Sequence, residues 1–308
     1  LKVLLQGDAD IWPHNLTLSR LVARSLRRLD KSLIQLPIGV QDYWWPGLLI
    51  PLCLQDSAAV LVLSSKSRRR LLHLELSRLK TKGFHLAIWE GITPPPDSQV
   101  WLLNHQGLLG AFQNGYLEGK QLIIPEAELL PGRLREAMAL EINHSNWEDL
   151  RRAHPVADSA LVEIYQRLTR QLFTYSTSAD SQVVINSESV ISLRDLLSLL
   201  GSYPAPWDEV FTALNQDWAS WGKLNHQLLD WKWHLQPLDP LNTIKTLLQD
   251  SPIVMLANSW QNDLLLSDLK AIDFEFNVTV SLGGRINQEP ISLFLPLRQP
   301  MPNTEFFA

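Results

Sequence analysis

The sequence predicts an α/β protein in which a parallel sheet flanked by helices contains a large helical insertion. Short apolar runs alternate with helical periodicity early in the chain, the strand pattern stops after Gly132, and it returns near residue 252. Strands that alternate with helices favour a parallel sheet, because each parallel connection needs a long crossover. The chain has 308 residues and is 45% hydrophobic, so it can bury a sizeable core.

Two helices and five short strands are predicted in the first part of the chain. Apolar residues recur at helical spacing in residues 16–29, which predicts an amphipathic helix with a basic outer face. A second helix is predicted over residues 67–80. The predicted strands are SLIQL (32–36), AAVLVLSS (58–65), HLAIW (85–89), VWLLN (100–104) and QLIIP (121–125).

The middle of the chain has a different pattern. Residues 133–174 and 189–233 have mostly helical periodicity and few strand signals. Strand character then returns at PIVMLAN (252–258), FEFNVTVSL (274–282) and PISLFLPL (290–297). We therefore predict one sheet domain made of residues 1–135 and 234–308, interrupted by a helical insertion of residues 136–233.

Charge and cysteine content limit the classes of function. The formal net charge is -5, so nothing requires a nucleic-acid or anionic-membrane partner, and any basic surface must be local. A single cysteine, Cys53, excludes an intrachain disulfide, a cysteine-rich zinc site and a four-cysteine iron–sulfur cluster, and it favours a cytoplasmic setting. The longest uncharged apolar run, residues 43–55, is too short to span a membrane. Because the first residue is Leu1, we expect a piece of a longer protein.

Common hydrolase and metal signatures are absent from the sequence. There is no G-x-S-x-G and no H-E-x-x-H, and the 8 histidines are scattered. We therefore predict structural histidines and no metal site.

Several segments are informative through their order. WPHNLTLSRLVARSL (12–26) precedes a predicted strand, and AAVLVLSSKSRRRLL (58–72) is a strand followed by hydroxyl and basic residues. WLLNHQGLLGAF (101–112), LIIPEAELLPGRLREAM (122–138) and WKWHLQPLDPLNTIKTLLQDSPIVMLANSW (231–260) follow. In this order they resemble the first motor domain of the DinG/XPD-type superfamily 2 DNA helicases. The resemblance implies a RecA-like sheet of the P-loop NTPase type, with the helical segment at the position of the family's arch insertion. The family's cysteine-rich insertion is missing, in agreement with the absence of an iron–sulfur cluster.

The resemblance also implies site residues. Those at the nucleotide site are Pro13 and Asn15 towards adenine, Gly39, Gln41 and Asp42 in the phosphate loop, Glu126 as the water-activating base, and Glu128 at the position of a coupling histidine. Those facing nucleic acid are Ser65, Lys66, Arg68, Arg69, Arg70, Asn104 and His105.

At the positions that the resemblance assigns to nucleotide binding, the residues depart from the family pattern. No lysine lies between Lys31 and Lys66, and Asp42 falls near the place of the phosphate-binding lysine. An anion there reverses an interaction of about 4 kcal/mol per charge pair at about 4 Å and an effective dielectric near 20. Pro125 stands where the family has its magnesium-binding aspartate, and Ala257-Asn258-Ser259-Trp260 replaces Thr-Ser-Ala-Thr. We therefore expect that ATP hydrolysis is lost and that no cofactor is bound.

Simpler interpretations remain open for each motif. Pro125 to Leu130 is also typical of a strand that turns into a helix. The basic cluster of residues 66–70 is equally typical of a solvated helix start, and Asn104-His105 of a capped strand end. The tryptophans that could stack on bases are more often core residues; they are Trp218, Trp221, Trp231 and Trp233.

The leading hypothesis is a degenerate helicase motor domain that associates with single-stranded DNA, with a second helicase domain or with another protein. One alternative is an active ATP-dependent helicase fragment that uses ATP, Mg²⁺ and Glu126. The other is a protein-interaction scaffold that does not bind nucleic acid.

Overall fold

The computed structural model describes residues 12–37, 43–55, 59–96, 99–175, 182–185, 187–225, 230–258 and 262–283. The strands in this part of the chain are β1 (Ser32–Leu36), β2 (Ala59–Val62), β3 (Ile88–Trp89), β4 (Val100–Leu103), β5 (Gln121–Ile124), β6 (Leu140–Ile142), β7 (Gln182–Val184), β8 (Trp218–Asn225), β9 (Asp230–Pro237), β10 (Ile253–Asn258) and β11 (Val278–Ser281). The α-helices are α1 (Asn15–Arg28), α2 (Trp45–Cys53), α3 (Ser65–Arg70), α4 (Leu76–Thr81), α5 (His105–Gln113), α6 (Leu130–Met138), α7 (His144–Ala153), α8 (Asp158–Tyr175), α9 (Ser187–Leu200), α10 (Trp207–Leu214), α11 (Lys245–Asp250) and α12 (Asn262–Ala271). A π-helical turn (Leu71–Glu75) joins α3 to α4, and 3-10 turns lie at Ala127–Leu129, Pro155–Ala157 and Pro240–Ile244.

A seven-stranded sheet with the order β11-β1-β10-β5-β2-β4-β3 forms the larger unit, and all its strand pairs are parallel. The predicted parallel α/β sheet is confirmed. β1 has the predicted bounds, whereas only the last two residues of HLAIW form a strand. The predicted strand at residues 290–297 lies outside the described residues.

Alternating side chains bury both faces of this sheet. In β1, Ile34 joins the core cluster on one face together with α1 and α2, whereas Leu33 joins the cluster on the other face. Burial on both faces explains why the strands read as continuous apolar runs rather than as alternating patterns.

The second unit is a four-stranded antiparallel sheet with the order β6-β9-β8-β7, covered on one face by helices. Helices α7 to α10 agree with the predicted helical character, but the expectation of helix is wrong for residues 218–225 and 230–233, which form strands β8 and β9. In β9, buried Trp231, Trp233 and Leu235 alternate with more exposed residues. This period of two in β9 is a strand signal. In β8 the same signal is weaker, because polar residues and a glycine interrupt the apolar positions.

None of the helices in these ranges is both long and apolar enough to span a lipid bilayer.

Candidate functional site at the carboxyl edge of the parallel sheet

The predicted site residues that follow β2, β4 and β5 lie near one edge of the parallel sheet, which is formed by the carboxyl ends of the strands. The strands β1, β10, β5, β2 and β4 are consecutive neighbours, so the segments that follow their carboxyl ends lie side by side. Ligands of open α/β sheets bind at this edge. The loop after β1 includes Gly39, Gln41 and Asp42, which lie outside the described residues.

Glu126 lies two residues after β5 and has a strained conformation. Its backbone is left-handed, with φ of 57°, which costs a non-glycine residue about 1 kcal/mol. The half-buried carboxylate accepts hydrogen bonds from Ser67 Oγ at 2.7 Å and from Ser64 Oγ at 3.3 Å. Ser64 is also the N-cap of α3, where its Oγ accepts from the Ser67 backbone N–H. The Glu126 carboxylate is therefore held by the hydroxyl groups of two serines that follow β2.

Glu128 lies two residues further along the chain and hydrogen-bonds to Asn258, the last residue of the neighbouring strand β10. Its carboxylate accepts from Asn258 Nδ2 at 2.6 Å and from the Asn258 backbone N–H at 3.2 Å. Burial raises the pKa of Glu128, the hydrogen bonds from Asn258 lower it, and the charge of Glu126 raises it again. Two residues that depart from the family pattern, one in each motif, therefore contact each other directly.

The position of the family's magnesium-binding aspartate provides no metal ligand in this chain. Pro125 is buried and has no carboxylate, and both nearby glutamates already accept hydrogen bonds. No group of three or more His, Cys, Asp or Glu that could hold a metal occurs among the residues that the structure describes. The described residues at this position therefore present no carboxylate that is not already hydrogen-bonded.

The basic cluster after β2 is only partly available. Arg68 pairs with Glu90 at 2.5 Å. Arg70 pairs with the almost fully buried Glu75 at 2.9 Å. Ser65, Lys66 and Arg69 are exposed at the start of α3. Among the described groups, Arg69 donates only to the Ser65 carbonyl of its own helix. Lys66 and Arg69 are therefore the cluster's cations that remain available to a phosphate.

Asn104 and His105 follow β4. Asn104 is the exposed N-cap of α5 and accepts from the Gly107 N–H at 2.6 Å, as in the capped strand end considered above. Burial and, to a smaller extent, the charge of Arg133 lower the pKa of His105 to about 4, against the opposing effect of Glu136. His105 is therefore neutral at physiological pH and cannot attract a phosphate by charge.

At the predicted adenine station, Pro13 is exposed and Asn15 is buried at the first turn of α1. Asn15 Nδ2 donates to the Trp12 carbonyl at 3.4 Å. Its Oδ1 and the indole nitrogens of Trp12 and Trp45 are buried without a hydrogen-bond partner in the described structure. A contact between Asn15 and a ligand would require the covering residues to move.

The four candidate stacking tryptophans separate into two pairs. Trp231 and Trp233 are 3% and 0% exposed in the core of the second unit. Trp218 and Trp221 are half-buried and line a cavity of about 650 Å³. The core interpretation is confirmed for the first pair.

Sequence reasoning missed the partners of the two glutamates. It did not connect Ser64 and Ser67 with Glu126, or Asn258 with Glu128. The available signal was strand order, because the hydroxyl-rich segment after β2 and the end of β10 both flank β5.

Solved structures with similar folds bear on this architecture. A structure described as "XPD_Helicase" matches with a TM-score of 0.51 and 9% identity, over 87% of this chain and 61% of that chain. The chain has an XPD-like helicase fold. A structure described as "XPD_APO" has a TM-score of 0.48 and 12% identity, over 86% of this chain and 57% of its own. A structure of S. tokodaii Xpd4 has a TM-score of 0.48 and 10% identity, over 80% and 57%.

The chain thus spans 57% to 61% of the length of these three XPD chains. No protein-family model matches the sequence, and no curated protein matches it significantly. At these identities the likeness concerns the XPD-like fold, and activity must be argued from the site.

Proposed function

We propose that this XPD-like domain does not hydrolyse ATP and acts by association with single-stranded nucleic acid or with a protein partner. The observation that supports this most is the link between Glu128 and Asn258. Both residues stand at stations that the family resemblance assigns to coupling with nucleotide. Here they hydrogen-bond to each other, so the segment after β5 is joined to the end of β10 by side chains of this chain itself.

Pro125 supports the same proposal. Phosphoryl transfer depends on positioning and on electrostatic stabilisation by Mg²⁺ and a lysine. A buried proline at the metal station removes one ligand. Glu126 alone could orient water, but without the metal the developing charge on the phosphates is not neutralised.

Association with nucleic acid is supported by Ser65, Lys66 and Arg69, which are exposed at the start of α3. Backbone N–H groups and cations at such an end favour phosphate contacts. The net charge of -5 predicts weak binding that declines steeply with salt.

One observation favours the alternative in which nucleotide still binds. The unpaired buried atoms of Trp12, Asn15 and Trp45 are polar groups that a purine could satisfy.

An ATPase assay with and without single-stranded DNA tests the proposal, with the Glu126→Gln variant as the matched control. We expect wild type and variant to release phosphate at the same background rate. DNA-stimulated turnover that Glu126→Gln abolishes would establish the alternative.

A further inference from the structure

The outer face of α1 has an unusual concentration of cations. Arg20, Arg24, Arg27 and Arg28 are all exposed. None of them has an ion pair within the described ranges, and Arg27 donates only to the Ala23 carbonyl at 3.2 Å. Several arginines elsewhere are, by contrast, paired with carboxylates; they include Arg68, Arg70, Arg133, Arg151 and Arg194.

This patch borders an apolar groove of about 370 Å³ between α1 and α2. Ala23 and Leu26 line one wall, and Ile50, Pro51 and Leu54 line the other. Leu54 is 63% exposed, although its isobutyl group would gain by burial. Arg20 and Arg27 also line the groove, so its rim is cationic.

The two helices hold the groove rigidly. Ser19 Oγ donates to the Gly47 carbonyl at 3.0 Å, and a Cβ added to Gly47 would lie 2.7 Å from Leu18 Cδ2. Such close packing means that a partner meets a preformed surface and loses little free energy to ordering it.

We propose that the α1–α2 groove binds an acidic amphipathic helix of a protein partner. Apolar side chains of that helix would fill the groove over Leu54, and its carboxylates would pair with the four arginines. Arg20 and Arg27 lie about 10 Å apart along α1. Two carboxylates seven residues apart on a partner helix have the same separation, whether that helix runs parallel or antiparallel to α1. Aliphatic walls favour such a helix over a nucleic acid, because no aromatic residue lines the groove and single strands are gripped by aromatic stacking. The proposal does not depend on the loss of ATP hydrolysis.

Fluorescence anisotropy with three labelled probes tests the proposal. The first is a synthetic helix with glutamates at positions i, i+4, i+7 and i+8 beside a stripe of leucines. The second has the same composition in shuffled order, and the third is an oligodeoxythymidine. We expect saturable binding of the first probe that weakens with salt, at least about tenfold tighter than the shuffled peptide.

Substitutions of exposed residues locate the binding site without destabilising the fold. Arg24→Glu and Leu54→Ser should each weaken binding of the acidic helix about tenfold. Arg170→Glu, on the exposed face of α8, reverses a charge that also has no ion pair among the described residues, and it should leave binding of the acidic helix unchanged. Lack of saturable binding, equal binding of both peptides, or equal loss in Arg170→Glu would overturn the proposal. So would α1-dependent binding of the oligonucleotide in preference to the peptide. Because ATPase activity is not measured here, failure of this proposal leaves the proposed function standing.

Discussion

Glu128, in the 3-10 turn after β5, and Asn258, at the end of β10, are joined by two hydrogen bonds, although 130 residues separate them in the chain. β5 and β10 are neighbours in the parallel sheet, so the link joins two adjacent segments at the carboxyl edge of that sheet. Each residue is half-buried, and removing either one leaves a polar group of the other unpaired.

A double-mutant cycle measures this link. Glu128→Ala should lower the free energy of unfolding by about 1–3 kcal/mol, because the Asn258 N–H and amide lose their acceptor. Glu128→Gln should cost less, since it retains one acceptor and burial already disfavours the charged form. Urea unfolding of both single variants, of Asn258→Ala and of the double variant should give a coupling energy of about 1 kcal/mol. Additive losses would mean that the contact contributes nothing.

The basic cluster after β2 should separate into binding and structural residues. Lys66→Glu combined with Arg69→Glu should weaken oligodeoxythymidine binding about tenfold at low salt and leave the melting temperature unchanged. Arg70→Ala should lower stability by about 1–2 kcal/mol, because Glu75 is 2% exposed and, among the described residues, keeps only Arg78 as an ion-pair partner. Filter binding and thermal unfolding distinguish the two effects. Unfolding of the Lys66/Arg69 variant, or full stability of Arg70→Ala, would contradict the division.

His105 should make stability depend on pH. Its folded pKa is lowered from 6.5 to about 4, so the unfolded state binds more protons in that interval and stability rises with pH there. The contribution is fully present above pH 6.5 and declines, by about 1–3 kcal/mol in total, as pH falls towards 4. His105→Gln should flatten this part of the unfolding free-energy curve. An unchanged slope in the variant would show that His105 titrates normally in the fold.

Two helical glycines should respond oppositely to alanine. Gly47→Ala places Cβ 2.7 Å from Leu18 Cδ2 and 2.9 Å from Leu18 Cγ, and the resulting shift should cost about 1–3 kcal/mol. At Gly132, inside α6, a Cβ meets nothing within 4 Å, so Gly132→Ala should stabilise by about 0.5–1 kcal/mol. Differential scanning calorimetry on the pair should give melting-temperature shifts of opposite sign, and a stabilised Gly47→Ala would refute the close α1–α2 packing.

The parallel sheet could be predicted from the sequence because its strands are buried on both faces. Continuous apolar runs such as residues 32–36 and 253–258 have few competing interpretations. β8 was missed because its core-facing positions include Ser220 and Gly222, which accommodates Leu172 of α8. That glycine is explained by a helix that packs against it, which is information the local sequence does not contain.

The candidate site was predictable in position but not in contacts. Segment order identified the strand ends at which Glu126, Asn104 and Asn258 lie, because parallel strands bring their carboxyl ends to one edge. The Glu128–Asn258 link, the Ser67–Glu126 hydrogen bond and the commitment of Arg70 to Glu75 depend on side-chain geometry across elements. Family patterns could not supply the Glu128–Asn258 link, since this chain departs from the family pattern at both residues.

Titration calorimetry of the intact chain with ATP, in the presence and absence of Mg²⁺, tests the central claim most directly. A site with a proline at its metal station and with Glu128 bound to Asn258 should give no saturable heat with Mg²⁺–ATP and no gain in affinity from Mg²⁺. Saturable binding that Mg²⁺ strengthens, and that Glu126→Gln or Glu128→Ala alters, would show instead that these residues still form a working nucleotide site.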